Sequence, residues 1–201
     1  MVKSNSNNKT IYLASRSPRR AEILKQLGLT FIILPSDIDE TVLESESPED
    51  YVLRLAQAKA LKCVQDIAAQ KLTPLPVLAA DTTVTIDGLI LGKPSTDEEA
   101  FAMLTRMSGC WHEVHTGIAV GTSTDISVAL STTRVQMEEL SEAAIAAYIA
   151  TGEPKDKAGA YGIQGLASTF IKHIEGSYTG VMGLPVYEAT QLLAKVGVRV
   201  L

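Results

Sequence analysis

Ser15-Arg16-Ser17-Pro18-Arg19-Arg20 places cations and hydroxyls where an apolar run, Ile11-Tyr12-Leu13-Ala14, gives way to a helical pattern. Ser17 fits an N-cap and Pro18 the first helical position, so the arginines fall beside the free N–H groups of a helix start. Such a start favours anions, and the guanidinium fork matches phosphate oxygens. The same hexapeptide also fits an ordinary capped helix with solvated arginines. Farther on, Leu78-Ala79-Ala80-Asp81-Thr82-Thr83 puts a carboxylate directly after an apolar strand core. A charge there needs a cation or hydrogen-bond donors. Asp81 therefore reads as a metal ligand or a general base for water, or else as a turn carboxylate held by backbone N–H groups. Asp39-Glu40 can supply a second carboxylate for a hard divalent cation, and alone is an exposed acidic loop.

Two further segments carry polar side chains in glycine-rich settings. Gly88-Leu89-Ile90-Leu91-Gly92-Lys93-Pro94 imitates a Walker loop but fails, because its glycines are one residue too close and Pro94 stands where a Ser or Thr would bind magnesium. Lys93 can still reach a phosphate from the end of a hairpin, and in isolation is an exposed turn lysine. The stretch from Thr151 to Gly165 is charged, then glycine-rich, and long for a connector. Its glycines allow a backbone to approach a ligand, Gln164 offers donor and acceptor to a base edge, and Lys157 can meet phosphate or pair with Asp156. Tyr178 can stack on a base or pack.

The elements that must position these groups are legible from periodicity and caps. Strands are expected at 10–15, 31–34, 77–86, 112–120, 126–137 and 168–174, and helices at 18–27, 48–70, 97–107, 141–150 and 185–196. Ser47-Pro48 repeats the helix-start signal, and Val52, Leu55, Ala56, the Lys59 stem, Ala60 and Cys63 give that helix one inward face. Asp87-Gly88 reads as a hairpin turn. The pattern implies a mixed α/β fold with some antiparallel strands. Residues 1–9 read as a disordered leader and 10–201 as one continuous domain.

Composition narrows the classes. The chain has 201 residues, 46% hydrophobic, with a net charge of −5. That balance argues against a non-specific nucleic-acid binder. No apolar run approaches a membrane span and the polar start is unlike a secretory signal, so a soluble cytoplasmic protein is expected. Cys63 and Cys110 lack metal or redox spacing and read as buried reduced thiols. His112, His115 and His173 do not form a zinc motif.

Taken in order, the segments resemble the Maf family of nucleoside triphosphate pyrophosphatases from residue 10 to about 196. The resemblance rests on Ser15 to Arg20, Asp39-Glu40, the Ala56-to-Ala60 segment with Lys59, Ala80-Asp81-Thr82, Gly92-Lys93-Pro94, Ser108-Gly109, His112-Glu113-Val114-His115-Thr116-Gly117, and the Glu153-to-Gly165 loop. It implies an elongated α/β fold related to inosine triphosphate pyrophosphatases, with a central cleft between two lobes. It implies hydrolysis between the α and β phosphates of a nucleoside triphosphate, with a divalent cation, magnesium or manganese. By position, Asp81 matches the proton acceptor. Ser15, Arg20, Glu40, Lys59 and Lys93 match phosphate- and metal-binding positions, with Glu40 and Asp81 toward the metal. Arg19, Thr82 and Gln164 match positions linked to substrate choice in the dTTP/UTP branch. The 7-methyl-GTP branch has a tryptophan before the arginine pair and lacks Tyr161-Gly162-Ile163-Gln164-Gly165. Gly180 stands where the family usually has Asn. A homodimer is plausible, modified pyrimidine nucleotides are alternative substrates, and a non-enzymatic nucleotide-binding regulator of septum formation is the reading from another class.

Overall fold

The computed structural model describes residues 9–123 and 125–201. The expected leader therefore lies outside the described residues except for Lys9, whose Nζ donates to the Val200 carbonyl at 3.0 Å. Seven strands form one sheet: β1 (Thr10–Leu13), β2 (Thr30–Ile33), β3 (Val77–Ile86), β4 (Leu89–Leu91), β5 (Trp111–Thr122), β6 (Asp125–Met137) and β7 (Ile171–Glu175). Their order is β2-β1-β3-β5-β6-β7, with β4 paired to β3. The pairs β1–β2 and β1–β3 are parallel and the others antiparallel, which gives the mixed α/β sheet.

Helices α1 (Pro18–Gln26), α2 (Pro48–Ala69), α3 (Asp97–Met107), α4 (Glu142–Ala150), α5 (Tyr178–Val181) and α6 (Val186–Lys195) flank the sheet. Ser17 and Ser47 cap α1 and α2, each accepting from the backbone N–H three residues on, with proline at the first turn. Asp87 and Gly88 both have positive φ, 51° and 75°, and join β3 to β4 as a tight hairpin. Residues 166–170 form a 3-10 helix, so β7 begins at Ile171, later than the expected 168. Leu166 N–H and Ala167 N–H are drawn to Glu153, which takes that segment out of the sheet.

Alternate residues of the central strands serve opposite faces. Ile11, Leu13, Leu78 and Ala80 join Ile23 and Leu24 of α1, Leu104 of α3 and Leu193 of α6 in the larger core. Tyr12, Ala14, Val77, Ala79 and Ala119 pack instead with Ala56, Ala60, Cys63 and Ile67 of α2. That helix lies very close to the sheet: a Cβ at Gly117 would collide with the Val52 carbonyl. Cys63 is buried as expected, whereas Cys110 is exposed in the turn after α3, where its N–H bonds the Met107 carbonyl and its carbonyl accepts from Met137. Among the described residues no helix is long and apolar enough to cross a membrane.

Candidate active site

The sheet opens at one place along β3. β1 pairs with it at Val77 and Leu78, and β4 at Val84 to Ile86, so Asp81, Thr82 and Thr83 have a ladder partner only in β5. In that gap the two faces of β3 reach the same space. A cavity of about 1130 Å³ lies there, lined by the β1–α1 segment, the 35–40 loop, Lys59, the β3 gap, Gly92-Lys93 and the 153–165 loop. Ser15, Arg19, Arg20, Glu40, Lys59, Asp81, Thr82, Lys93 and Gln164 all line it.

On the α2 face of β3 the alternation Val77, Ala79, Asp81 brings a carboxylate under Lys59. Lys59 Nζ lies 2.6 Å from Asp81 Oδ1 and 2.6 Å from Glu40 Oε1. Asp81 and Lys59 side chains are each 12% exposed, so this is a sheltered pair that solvent screens little. Asp81 lies within β3, and its partner is the Lys59 ammonium, so the turn-carboxylate alternative falls. Among the described residues only Lys59 bonds the Asp81 carboxylate, through Oδ1, and Asp81 lines the cavity. Asp39 turns away, its Oδ1 accepting from Thr41 N–H at 2.9 Å and Thr41 hydroxyl at 2.6 Å. The loop bearing Glu40 is tied to α2: Arg54 donates to Thr41 O at 3.0 Å and grips Glu46, and Tyr51 donates to Glu40 O at 3.0 Å. Removal from water and the Asp81 and Glu40 charges push the Tyr51 hydroxyl up to about 12.

On the opposite face Arg20 is held by three acceptors. Nε donates to Gly183 O at 2.7 Å, one terminal nitrogen to Ser15 Oγ at 3.0 Å and the other to Thr82 Oγ1 at 3.1 Å. Burial lowers its pKa, an effect that Asp81 opposes and Arg19 adds to, yet an arginine so placed stays charged. Ser15 Oγ also accepts from Ser17 N–H at 3.1 Å, which leaves its own proton for a ligand. The side chains of Arg19, Lys93 and Gln164 make no hydrogen bond or ion pair with another described residue, and all three residues line the cavity.

Sequence reasoning missed several groups. Arg16 lines the mouth and forms a two-pronged pair with Asp37, at 2.7 and 3.1 Å, although it stood inside the motif. Glu153 organises the long loop: its carboxylate accepts from Tyr148 hydroxyl and from Leu166 and Ala167 N–H. Burial would raise its pKa, but these donors hold it below the ordinary value. A Cβ at Gly165 would collide with that carboxylate and one at Gly162 would crowd the Lys157 stem, so these glycines make room for side chains of their own loop. Lys157 pairs with Asp156 at 3.0 Å and donates to Glu153 O at 2.5 Å. Tyr161 shares a 2.8 Å hydrogen bond with His112 Nε2, and burial drives His112 down to about 4. Tyr178, 47% exposed on α5, stands outside the cavity lining.

A hard divalent cation prefers carboxylate, phosphate and water oxygens. Glu40 and Asp81 fit that requirement, since both converge on one ammonium at 2.6 Å. Among the described residues no cluster of three or more His, Cys, Asp or Glu side chains is suited to a metal, so the other oxygens would come from a bound phosphate and water.

A mixed α/β sheet broken at one strand edge, with cations and paired carboxylates converging on the break, forms a cleft whose chemistry suits polyanionic phosphates. The family model of the Maf-like proteins matches residues 10–196, and the chain belongs to that family. It is 62% identical over 194 residues, 96% of each chain, to a dTTP/UTP pyrophosphatase of Methylobacillus flagellatus. A nucleoside triphosphate pyrophosphatase of Haemophilus ducreyi is 48% identical, over 96% of this chain and 98% of that one. The solved nucleoside-triphosphatase, dITP/XTP pyrophosphatase, of Mycobacterium abscessus is 16% identical over 64% of this chain and 74% of its own, with a TM-score of 0.40. A likeness that distant adds nothing to the fold described above.

Proposed function

We propose that the chain hydrolyses dTTP and UTP between the α and β phosphates, releasing the monophosphate and pyrophosphate. The observation that carries the reading is the convergence of Asp81, Lys59 and Glu40 with Arg20, Arg19 and Lys93 on one cavity. The names of the relatives add the substrate class.

A triphosphate brings several negative charges, and Arg20, Lys59 and Lys93 neutralise them while Ser15 donates its hydroxyl proton to a phosphate oxygen. Glu40 and Asp81 would hold magnesium or manganese, which when bound adds neutralisation of phosphate charge. The Asp81 carboxylate takes the proton of a water attacking the α-phosphorus. Asp81 Oδ1 stays anchored to Lys59, so the base is fixed in orientation. Charge growing on the departing pyrophosphate meets the guanidinium of Arg20, which Gly183, Ser15 and Thr82 hold in place. Gln164 and Arg19 read the O4/N3 edge of uracil or thymine, which offers acceptors and a donor.

Turnover in ¹⁸O-water locates the attack. The reading expects the label in the monophosphate; label in pyrophosphate, or in orthophosphate, would place the attack at another phosphorus and remove Asp81 as the base for water at the α-phosphorus.

A further inference from the structure

Thr116 lies on β5 directly opposite Thr82, fully buried and outside the cavity lining. Its hydroxyl donates to Gly180 O at 2.8 Å, and its oxygen lies 2.9 Å from Thr82 Oγ1. These contacts fix the direction of the whole chain of hydrogen bonds. A carbonyl only accepts, so the single Thr116 proton goes to Gly180, and the proton between the two threonines must belong to Thr82. Thr82 then has lone pairs facing Arg20, which donates to it at 3.1 Å.

We infer that Thr116 is a positioning residue for Arg20, acting through Thr82 along the directed path Arg20 to Thr82 to Thr116 to the Gly180 carbonyl. The inference deepens the reading of Arg20 as a phosphate-binding group and rests on it. Without an acceptor at 116, the Thr82 hydroxyl is free to turn, and Arg20 loses one of three fixed partners. The far end of the path is a main-chain oxygen, so glycine at 180 serves as well as asparagine. A side chain there would crowd Ser131 Oγ at 3.0 Å and Ser177 Cβ at 3.1 Å.

The test combines arginine side-chain NMR on the free protein with steady-state kinetics on dTTP for wild type, Thr116→Val and Thr116→Ser. In wild type and Thr116→Ser the Arg20 guanidinium should rotate slowly about its Cζ–Nε bond; in Thr116→Val it should rotate faster. The same valine variant should lose about tenfold to a hundredfold in kcat/KM, and serine should restore most of it. In an Arg20→Ala background Thr116→Val should cause no further loss. An unchanged Arg20 rotation rate, or an equal kinetic loss with and without Arg20, would overturn the inference. Should Thr116→Val fail to fold, Thr116→Cys carries the same expectations, because a thiol is a poor donor and acceptor. The NMR result stands whether or not any triphosphate is cleaved, so failure of the functional reading is seen separately, as absent pyrophosphate from wild type.

Discussion

Asp81 sits where two requirements meet: enough burial to strengthen its bond with Lys59, and a place in the cavity lining. Replacing it by Asn keeps shape and removes the proton acceptor. Asp81→Asn should lower turnover by roughly 10²–10⁴-fold with the thermal midpoint within a few degrees of wild type; near-normal turnover would dismiss Asp81 as the base. Gln164 is exposed and unengaged by other described residues, as a group waiting for a base edge should be. Gln164→Ala should reduce the preference for UTP over CTP by roughly threefold to tenfold, the worth of one hydrogen bond. An unaltered UTP-to-CTP ratio would assign base recognition elsewhere. His112 carries a different kind of prediction. The residue is 2% exposed, its Nδ1 has no hydrogen-bond partner among the described residues, and burial holds its pKa at about 4 against an ordinary 6.5. The unfolded chain therefore takes up a proton between pH 6.5 and about 4 that the folded chain refuses, and stability falls as pH drops through that window. The loss should be on the order of 3 kcal/mol, read by urea unfolding at several pH values. His112→Gln should flatten that part of the profile; an unchanged slope would assign it to other groups.

At the scale of elements, α2 carries Lys59 to Asp81 and its bond pattern restrains the Glu40 loop. Its height above the sheet is set by Gly117, opposite Asp81 in the β3–β5 ladder. Gly117→Ala should lift α2, cost about 1–3 kcal/mol of stability, and depress kcat more than a surface Gly-to-Ala change of equal stability cost. Equal turnover would show that the site tolerates a displaced helix. The caps of α1 and α2 and the Asp87-Gly88 hairpin were legible in sequence because each depends on adjacent residues. So was the inward face of α2. The gap in β3 was not legible, since it depends on where β1 ends and β4 begins pairing, which no local pattern encodes. The same holds for Glu153, whose partners come from α4 and from the 3-10 turn at 166–170. The glycines of its loop suggested ligand approach, and Gly162 and Gly165 do line the cavity, but local sequence carried no sign that they also accommodate the Glu153 and Lys157 side chains. Thr116 stood in the resemblance motif without a role, because only the ladder register shows it facing Thr82.

The whole molecule carries a net charge of −5, yet in its cavity lining Arg16, Arg19, Arg20, Lys59, Lys93 and Lys157 outnumber Asp37, Glu40, Asp81, Glu153 and Asp156. A local cationic cleft in an acidic protein favours a small polyanion over a long nucleic acid, whose many phosphates would meet the acidic remainder. Of the lining carboxylates, Glu40 and Asp81 share the Lys59 ammonium, an arrangement beyond what holding a nucleotide requires, and turnover is what distinguishes an enzyme from a regulator. Catalysis is measured by incubating the purified protein with dTTP, UTP, CTP, GTP and 7-methyl-GTP. Magnesium or manganese is supplied in one arm and chelated in the other, and pyrophosphate is resolved from orthophosphate. Metal-dependent pyrophosphate is expected from dTTP and UTP ahead of the other three; no pyrophosphate from any of them would return the cleft to a binding role.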